Sequence, residues 1–305
     1  MRLASAEVDL AGAPVRLAYT DWGAADAART VVCVHGLTRN GRDFDALAAA
    51  LGSQDVRVLC PDMPGRGGSA WLADPTAYAG PTYVGMVLGL LGTLGIGRVA
   101  WVGTSMGGIV GMLLAALPET PIERLVVNDV GPFIPKAALA AIGTYVGLDP
   151  RFGDRAEAEA YLRRVHAEFG PLPDAWWGHL ARHGVRPDPA GGYRLHYDPA
   201  IRIPFAQGID KDLDLWAAWD AIRCPTLMLR GAVSGLLPAE TAAEAALRGP
   251  GACSGSRPEV RIVTFAGVGH APALVAADQI AVVRDFVLGS ASQPKAYAAM
   301  SSGPS

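Results

Sequence analysis

The stretch from Arg98 to Leu117, Arg-Val-Ala-Trp-Val-Gly-Thr-Ser-Met-Gly-Gly-Ile-Val-Gly-Met-Leu-Leu-Ala-Ala-Leu, constrains the fold of this chain more than any other. It begins as a short apolar run suited to a buried strand and ends as an Ala, Leu and Met-rich segment suited to a helix. The two meet at Gly103-Thr104-Ser105-Met106-Gly107, so the chain passes from strand to helix in one sharp turn. A residue at the apex of such a turn sits in a strained backbone conformation, and the positions two before and two after it must lack bulk. Gly103 and Gly107 meet that need. The strain lifts the Ser105 hydroxyl clear of the sheet, which makes Ser105 the candidate nucleophile. The turn also sets the Met106 N–H at a helix N-terminus, where an unpaired donor and the helix dipole stabilise a developing oxyanion.

Two plainer readings compete. With glycine at 37 of 305 positions, a given serine is flanked in this way by chance roughly once in 70; Ser105 is the one serine that matches. The uncharged run from Val99 to Pro118 is long enough to span a bilayer, but four internal glycines and a strand-like first half argue against one continuous helix.

A chain of 305 residues, 50% hydrophobic and 18% charged, fits one large globular core with an insertion. A net charge of −3 provides neither a basic field for nucleic acid nor a polybasic membrane patch, so a neutral or weakly charged small molecule is the expected partner. Cys33, Cys60, Cys224 and Cys253 show no paired spacing, which argues for reduced core thiols rather than a disulfide frame or a zinc site. Arg2, Glu7 and Asp9 precede any apolar segment of signal length, and a cytoplasmic location is expected.

Along the chain, Glu7 to Asp21 alternates around Ala11-Gly12-Ala13-Pro14 as an antiparallel edge hairpin. Buried strands are predicted at 30–34, 56–61, 99–104, 124–130, 225–231 and 260–265, with helices over 43–51, 81–94, 106–117, 240–247 and 278–288. This alternation predicts a mostly parallel eight-stranded α/β sheet with helices on both faces. From Phe133 to Asp220 the alternation stops, and amphipathic pieces at 136–146, 155–169, 175–183 and 212–222, with a Pro, Gly and Tyr-rich interval (184–210) that reads as loops, are expected to form a helical cap. The expected organisation is therefore a core of 1–132 and 221–288 with a surface loop at 249–258, a cap of 133–220 and a disordered tail of 289–305. The first buried strand ends in His35-Gly36-Leu37. Glycine there lets the backbone turn its next amide toward a ligand, so Leu37 N–H is the second expected oxyanion donor. His35 is expected to shape its loop rather than move protons, and Asp62 to hold its own turn-rich loop through nearby amides.

With His35-Gly36, Asp62-Met63-Pro64-Gly65-Arg66-Gly67-Gly68-Ser69, Gly103-Thr104-Ser105-Met106-Gly107-Gly108 and Gly269-His270-Ala271-Pro272 in this order, the chain resembles the α/β-hydrolase superfamily over residues 15–288. The resemblance implies that Ser105 attacks a carbonyl, that His270 takes its proton and returns it to the leaving group, and that the Met106 and Leu37 amides hold the oxyanion. No metal or other cofactor is called for.

The acid departs from the pattern. Similar proteins carry it after the seventh strand, where this chain has Gly231-Ala232-Val233-Ser234-Gly235, with Gly235 in the aspartate's place. Some α/β hydrolases take the acid from the end of the sixth strand, which here offers Asn128-Asp129. Asp129 is the favoured candidate, Glu240 a lesser one, and alternation leaves open whether Asn128 or Asp129 faces the histidine. The expected function is serine hydrolysis of an ester, lactone or thioester of a small apolar acyl group. Carbon–carbon bond hydrolysis on the same site and a binding protein with an impaired site are the alternatives. Among the cap aromatics, Trp176, Trp177 and Tyr197 are the expected substrate walls.

Overall fold

The structure, a computed structural model, describes residues 1–52, 55–251 and 260–289. Eight strands form the main sheet: β1 (Arg2–Leu10), β2 (Ala13–Trp22), β3 (Thr30–Val34), β4 (Arg57–Pro61), β5 (Val99–Thr104), β6 (Ile122–Asn128), β7 (Thr226–Gly231) and β8 (Val260–Phe265). Their spatial order is β1-β2-β4-β3-β5-β6-β7-β8. Only β2 runs against its neighbours: it pairs antiparallel with β1 through the turn at Ala11-Gly12 and antiparallel with β4, and every later pairing is parallel. Ala11 and Gly12 both have positive φ, 54° and 88°, as a two-residue hairpin whose twist matches its strands requires.

Alternation along the central strands sorts side chains onto two cores. Val32, Val34 and Trp101 face one side of the sheet, while Val31, Cys33, Ala100 and Val102 face the other. The first side is covered by α2 (Gly80–Thr93), α3 (Met106–Ala115) and α9 (Ala239–Leu247), the second by α1 (Asp45–Gly52) and α10 (Ala277–Leu288). The strands therefore read as continuous apolar runs because both faces are buried. Cys33, Cys60 and Cys224 are free, buried thiols; Cys253 lies outside the described residues. Among the described residues no helix is long and apolar enough to cross a membrane.

Between β6 and β7 come α4 (Lys136–Gly143), α5 (Arg155–Val165), α6 (Asp174–Gly184), α7 (Arg202–Ala206) and α8 (Trp216–Ala221). Two features differ from the sequence expectation. The interval expected to be loops contains α7 and an antiparallel ribbon, Val185–Pro187 with Tyr193–Leu195, joined by Arg151–Phe152. Its turn is held by positive-φ glycines 191 and 192 and by Asp188, whose carboxylate takes Arg151 and Arg194. The piece expected to be helical from Asp212 begins instead as Leu213–Asp214, which pairs with Phe133–Ile134 and ties the two ends of the insertion together. The tail expected from 289 lies outside the described residues beyond Gly289, which caps α10 in the left-handed region (φ 69°), and most of the loop expected at 249–258 does so as well.

Candidate active site

The turn after β5 carries its strain in one residue: Ser105 has φ 53° and ψ −114°. Neighbouring hydrogen bonds impose it. The Ser105 N–H donates to the Asn128 carbonyl at 3.0 Å, and the Ser105 carbonyl accepts from the N–H groups of Gly108 (2.8 Å) and Ile109 (3.0 Å). A side chain at Gly103 would collide with the Gly107 carbonyl, and one at Gly107 with the Val34 carbonyl of the adjacent strand. Both glycines are thus required by backbone contact, not by flexibility alone.

His270 arrives on the loop after β8, with its Nε2 3.0 Å from Ser105 Oγ and its Nδ1 2.8 Å from Asp129 Oδ2. Because the Asp129 carboxylate accepts the Nδ1–H, the Nε2 lone pair faces the serine hydroxyl. Asp129 is fully buried, yet every partner it needs is present: Oδ1 accepts from the Gly231 N–H at 2.7 Å, and Oδ2 accepts from the Ser234 hydroxyl at 2.6 Å as well as from His270. The choice left open by strand alternation is made by the backbone. Asp129 has φ 54°, which ends the strand and swings its side chain to the histidine. Asn128 remains in the strand and donates from Nδ2 to Thr104 Oγ1 (2.9 Å) and to the Pro272 carbonyl (2.8 Å), bracing the histidine loop from beneath. Gly235 is exposed, with open space around a would-be Cβ, and Glu240 is exposed on α9.

The two amides expected to face an oxyanion flank Ser105. Leu37 and Met106 both line the cavity that contains it, and among the described residues neither N–H is taken by a protein acceptor. Behind them lies Arg66, fully buried, which donates from Nε to the Leu37 carbonyl (2.9 Å) and from Nη1 to the Pro64 carbonyl and the Tyr83 hydroxyl (both 2.7 Å); its Nη2 lies 3.6 Å from Met106 Sδ. His35 plays the loop-shaping part expected of it. Its Nδ1 lies 2.8 Å from the Gly36 carbonyl and its Nε2 accepts from the Met63 N–H at 3.0 Å, while burial lowers its pKa to about 3 and keeps it neutral. Asp62 likewise accepts from the Gly41 and Gly68 amides, both at 2.8 Å; burial raises its pKa to about 6.

The cavity measures about 980 Å³ and is walled by both the core and the insertion, including Ile109, Ile134, Leu139, Ile142, Phe205 and Leu236. Of the three aromatics expected to wall it, Trp176 does, stacked on His179 with ring centroids 4.3 Å apart. Trp177 and Tyr197 do not. Trp177 is buried between Phe169 and Arg163, and Tyr197 is buried with its hydroxyl donating to the Leu148 carbonyl at 2.6 Å. Adjacent positions of a helix lie about 100° apart, and the rotation of α6 leaves Trp176 on the cavity side and Trp177 in the packing.

Three residues that hold the site escape a sequence reading. Ser234 fastens Asp129. Glu168, from the turn after α5, takes the Gly269 N–H on its carbonyl (2.7 Å) and the His270 N–H on its carboxylate (3.0 Å). Arg66 could have been suspected only from its place in the glycine-rich loop. A group of possible metal ligands, Asp45, His179 and His183, has ligand atoms within 4.8 Å of one another. The Arg42 guanidinium already holds the Asp45 carboxylate and lies 3.3 Å from His183 Nδ1, so a cation there would first have to displace it.

A model of the alpha/beta hydrolase family matches residues 31–283. The chain is 42% identical over 283 residues to the 3-hydroxybutyrate-oligomer hydrolase of Cupriavidus necator, covering 90% of this chain and 94% of that protein. It is 28% identical to the 2-(acetamidomethylene)succinate hydrolase of Mesorhizobium japonicum, over 77% of this chain and 79% of that one. Among solved structures, an α/β hydrolase from Novosphingobium aromaticivorans superposes with a TM-score of 0.80 at 33% identity, covering 94% of this chain and 98% of that one. The strand order, the turn at Ser105 and these similarities agree, and the chain belongs to the α/β-hydrolase family as an enzyme of the hydrolase class.

Proposed function

We propose that this protein is a serine hydrolase that cleaves carboxylic esters of short hydroxyacyl units through an acyl-enzyme. One observation carries the reading: the unbroken chain of contacts from Ser105 Oγ to His270 Nε2 (3.0 Å) and from His270 Nδ1 to Asp129 (2.8 Å), at the floor of an open apolar cavity. In the first half-reaction Ser105 Oγ attacks the ester carbonyl carbon and its proton passes to His270 Nε2. The Met106 and Leu37 amides stabilise the negative oxygen of the tetrahedral intermediate. As the intermediate collapses, His270 returns the proton to the departing alkoxide, leaving an acylated Ser105 and an alcohol. Water, deprotonated by His270, then attacks the acyl carbon and releases the acid and free serine. Asp129 holds His270 in the tautomer that presents a bare Nε2 and stabilises the imidazolium.

The hydroxyacyl ester is favoured because the relative that acts, by its name, on 3-hydroxybutyrate oligomers is 42% identical across nearly the whole chain. The reading of a binding protein with an impaired site rested on Gly235, and the Asp129 carboxylate beside His270 removes that motive. Residues 133–220 act as a cap that bounds the acyl pocket over the core of 1–132 and 221–288. The free, buried cysteines support a cytoplasmic location.

The test is a panel of oligomeric hydroxyacyl esters, simple alkanoyl esters, lactones and thioesters on the wild type and Ser105→Ala, with fluorophosphonate labelling alongside. Labelling and ester turnover that vanish together in Ser105→Ala support the reading. Ester turnover above about a tenth of wild type in that variant removes Ser105 as nucleophile, since losing a nucleophile costs several orders of magnitude.

A further inference from the structure

Several polar side chains that line the cavity are already engaged within the protein. Arg39 is paired with Asp43, Tyr83 accepts from Arg66, Tyr78 donates to Asp198, and Glu168 holds the histidine loop. His166 and Tyr145 differ. Both line the cavity, their rings meet edge to face with centroids 6.4 Å apart, and His166 is stacked on Phe169 at 4.7 Å. His166 is nine-tenths buried, yet among the described residues neither its ring nitrogens nor the Tyr145 hydroxyl has a hydrogen-bond partner. These polar atoms open on the cavity instead of being sealed in the packing, so a ligand that supplies their missing bonds can reach them, and one that displaces water without supplying those bonds is penalised.

The chemistry of the pair says which ligand oxygen fits. Burial holds the His166 imidazole well below its ordinary range, and burial pushes the Tyr145 phenol up to about 12, so both are neutral at neutral pH. A neutral imidazole offers one donor and one acceptor, and so does a phenol. Their complement is an uncharged hydroxyl, which both gives and takes a hydrogen bond. The position is set by the chain. His166 stands two residues before Glu168, whose carbonyl and carboxylate grip Gly269 and His270, so its segment is tied to the loop that carries the catalytic histidine.

We propose that His166 and Tyr145 form a subsite that binds a hydroxyl on the acyl chain, making the enzyme selective for hydroxyacyl esters over their deoxy counterparts. This rests on the serine-hydrolase reading above and adds the residues that read the substrate. Phe169 keeps the His166 ring in one plane by stacking. The selectivity is the ordinary one of a site built for a hydroxyl, which rejects an analogue that leaves its polar groups unpaired.

The experiment compares kcat/KM for p-nitrophenyl 3-hydroxybutyrate and p-nitrophenyl butyrate in the wild type, His166→Phe and Tyr145→Phe. The wild type is expected to favour the hydroxy ester by about tenfold or more, and each variant to lower that ratio by about fivefold to tenfold. A purely structural role would depress both esters together. A wild-type ratio near one, or a ratio within about twofold of wild type in both variants, overturns the subsite. A second measurement needs no turnover: ligand-observed NMR of 3-hydroxybutyramide and butyramide binding to Ser105→Ala, with and without His166→Phe. If no ester is cleaved but the hydroxyamide is preferred and His166→Phe abolishes the preference, the subsite stands and the hydrolase reading falls. If esters are cleaved and neither ratio responds, the subsite falls alone.

Discussion

Replacing Asp129 with asparagine exchanges one carboxylate oxygen for an NH2 group and inverts the hydrogen-bond logic of the site. The carboxylate accepts three bonds, from the Gly231 N–H at 2.7 Å, the Ser234 hydroxyl at 2.6 Å and His270 Nδ1 at 2.8 Å. Gly231 N–H is a fixed donor, so the asparagine oxygen must face it and the NH2 group must face Ser234 and His270. The hydroxyl can rotate to accept, but the imidazole can accept at Nδ1 only by moving its proton to Nε2. The Nε2–H then points at Ser105 Oγ, and the base has no lone pair with which to take the proton. In a related triad the same exchange lowers turnover about ten-thousandfold, close to 5 kcal/mol of transition-state stabilisation. Asp129→Asn is expected to lose between a hundredfold and ten-thousandfold in kcat/KM with its melting temperature little altered, measured on a chromogenic ester across pH 6–9. Activity above about a tenth of wild type would refute the reasoning. Gly235→Asp gives the second arm: it adds a carboxylate where open space surrounds the would-be Cβ, so it is expected to restore part of the loss in Asp129→Asn and to give no gain in the parent.

Three further outcomes follow from the packing and titration of the chain. Gly107→Ala, whose Cβ would strike the Val34 carbonyl, is expected to lose at least about 3 kcal/mol of stability or fail to accumulate as folded protein, read by denaturant unfolding. Trp176→Ala is expected to change the ratio of short-chain to long-chain ester turnover because Trp176 lines the cavity, whereas Trp177→Ala, at a buried position of α6, is expected to cost about 3–5 kcal/mol of stability first; identical behaviour of the two would contradict their placement. His35, lowered to about 3 by burial, binds fewer protons folded than unfolded between pH 3 and 6.5, so its contribution is complete above pH 6.5 and is lost as pH falls toward 3, by up to about 5 kcal/mol. Asp62, raised to about 6, opposes this by losing stability as pH rises from 3.8 to 6. Urea unfolding from pH 4 to 7 is expected to show a shallower acid limb in His35→Gln than in wild type, and parallel limbs would exclude His35 as its source.

The parts of this protein that local sequence determined are those where one residue type is demanded by backbone geometry or by burial on both faces. The apolar runs at 30–34, 99–104 and 226–231 specify buried parallel strands, and Gly103, Ser105 and Gly107 specify the turn, because no side chain fits at the glycines. His270 is legible from its own Gly-x-Gly-His-Ala-Pro segment. Tertiary structure alone decided what depends on the meeting of distant segments. Whether Asn128 or Asp129 serves the histidine turns on a φ of 54° at Asp129 and on Gly231 and Ser234, about a hundred residues away, which satisfy its carboxylate. The division between Trp176 at the cavity and Trp177 in the packing depends on how α6 is rotated against its neighbours, which a pair of adjacent tryptophans cannot encode. The grip of Glu168 on the His270 loop has no local signature either, and that of Arg66 is limited to its place in a glycine-rich loop, since a charged residue is usually solvated until the fold removes its water.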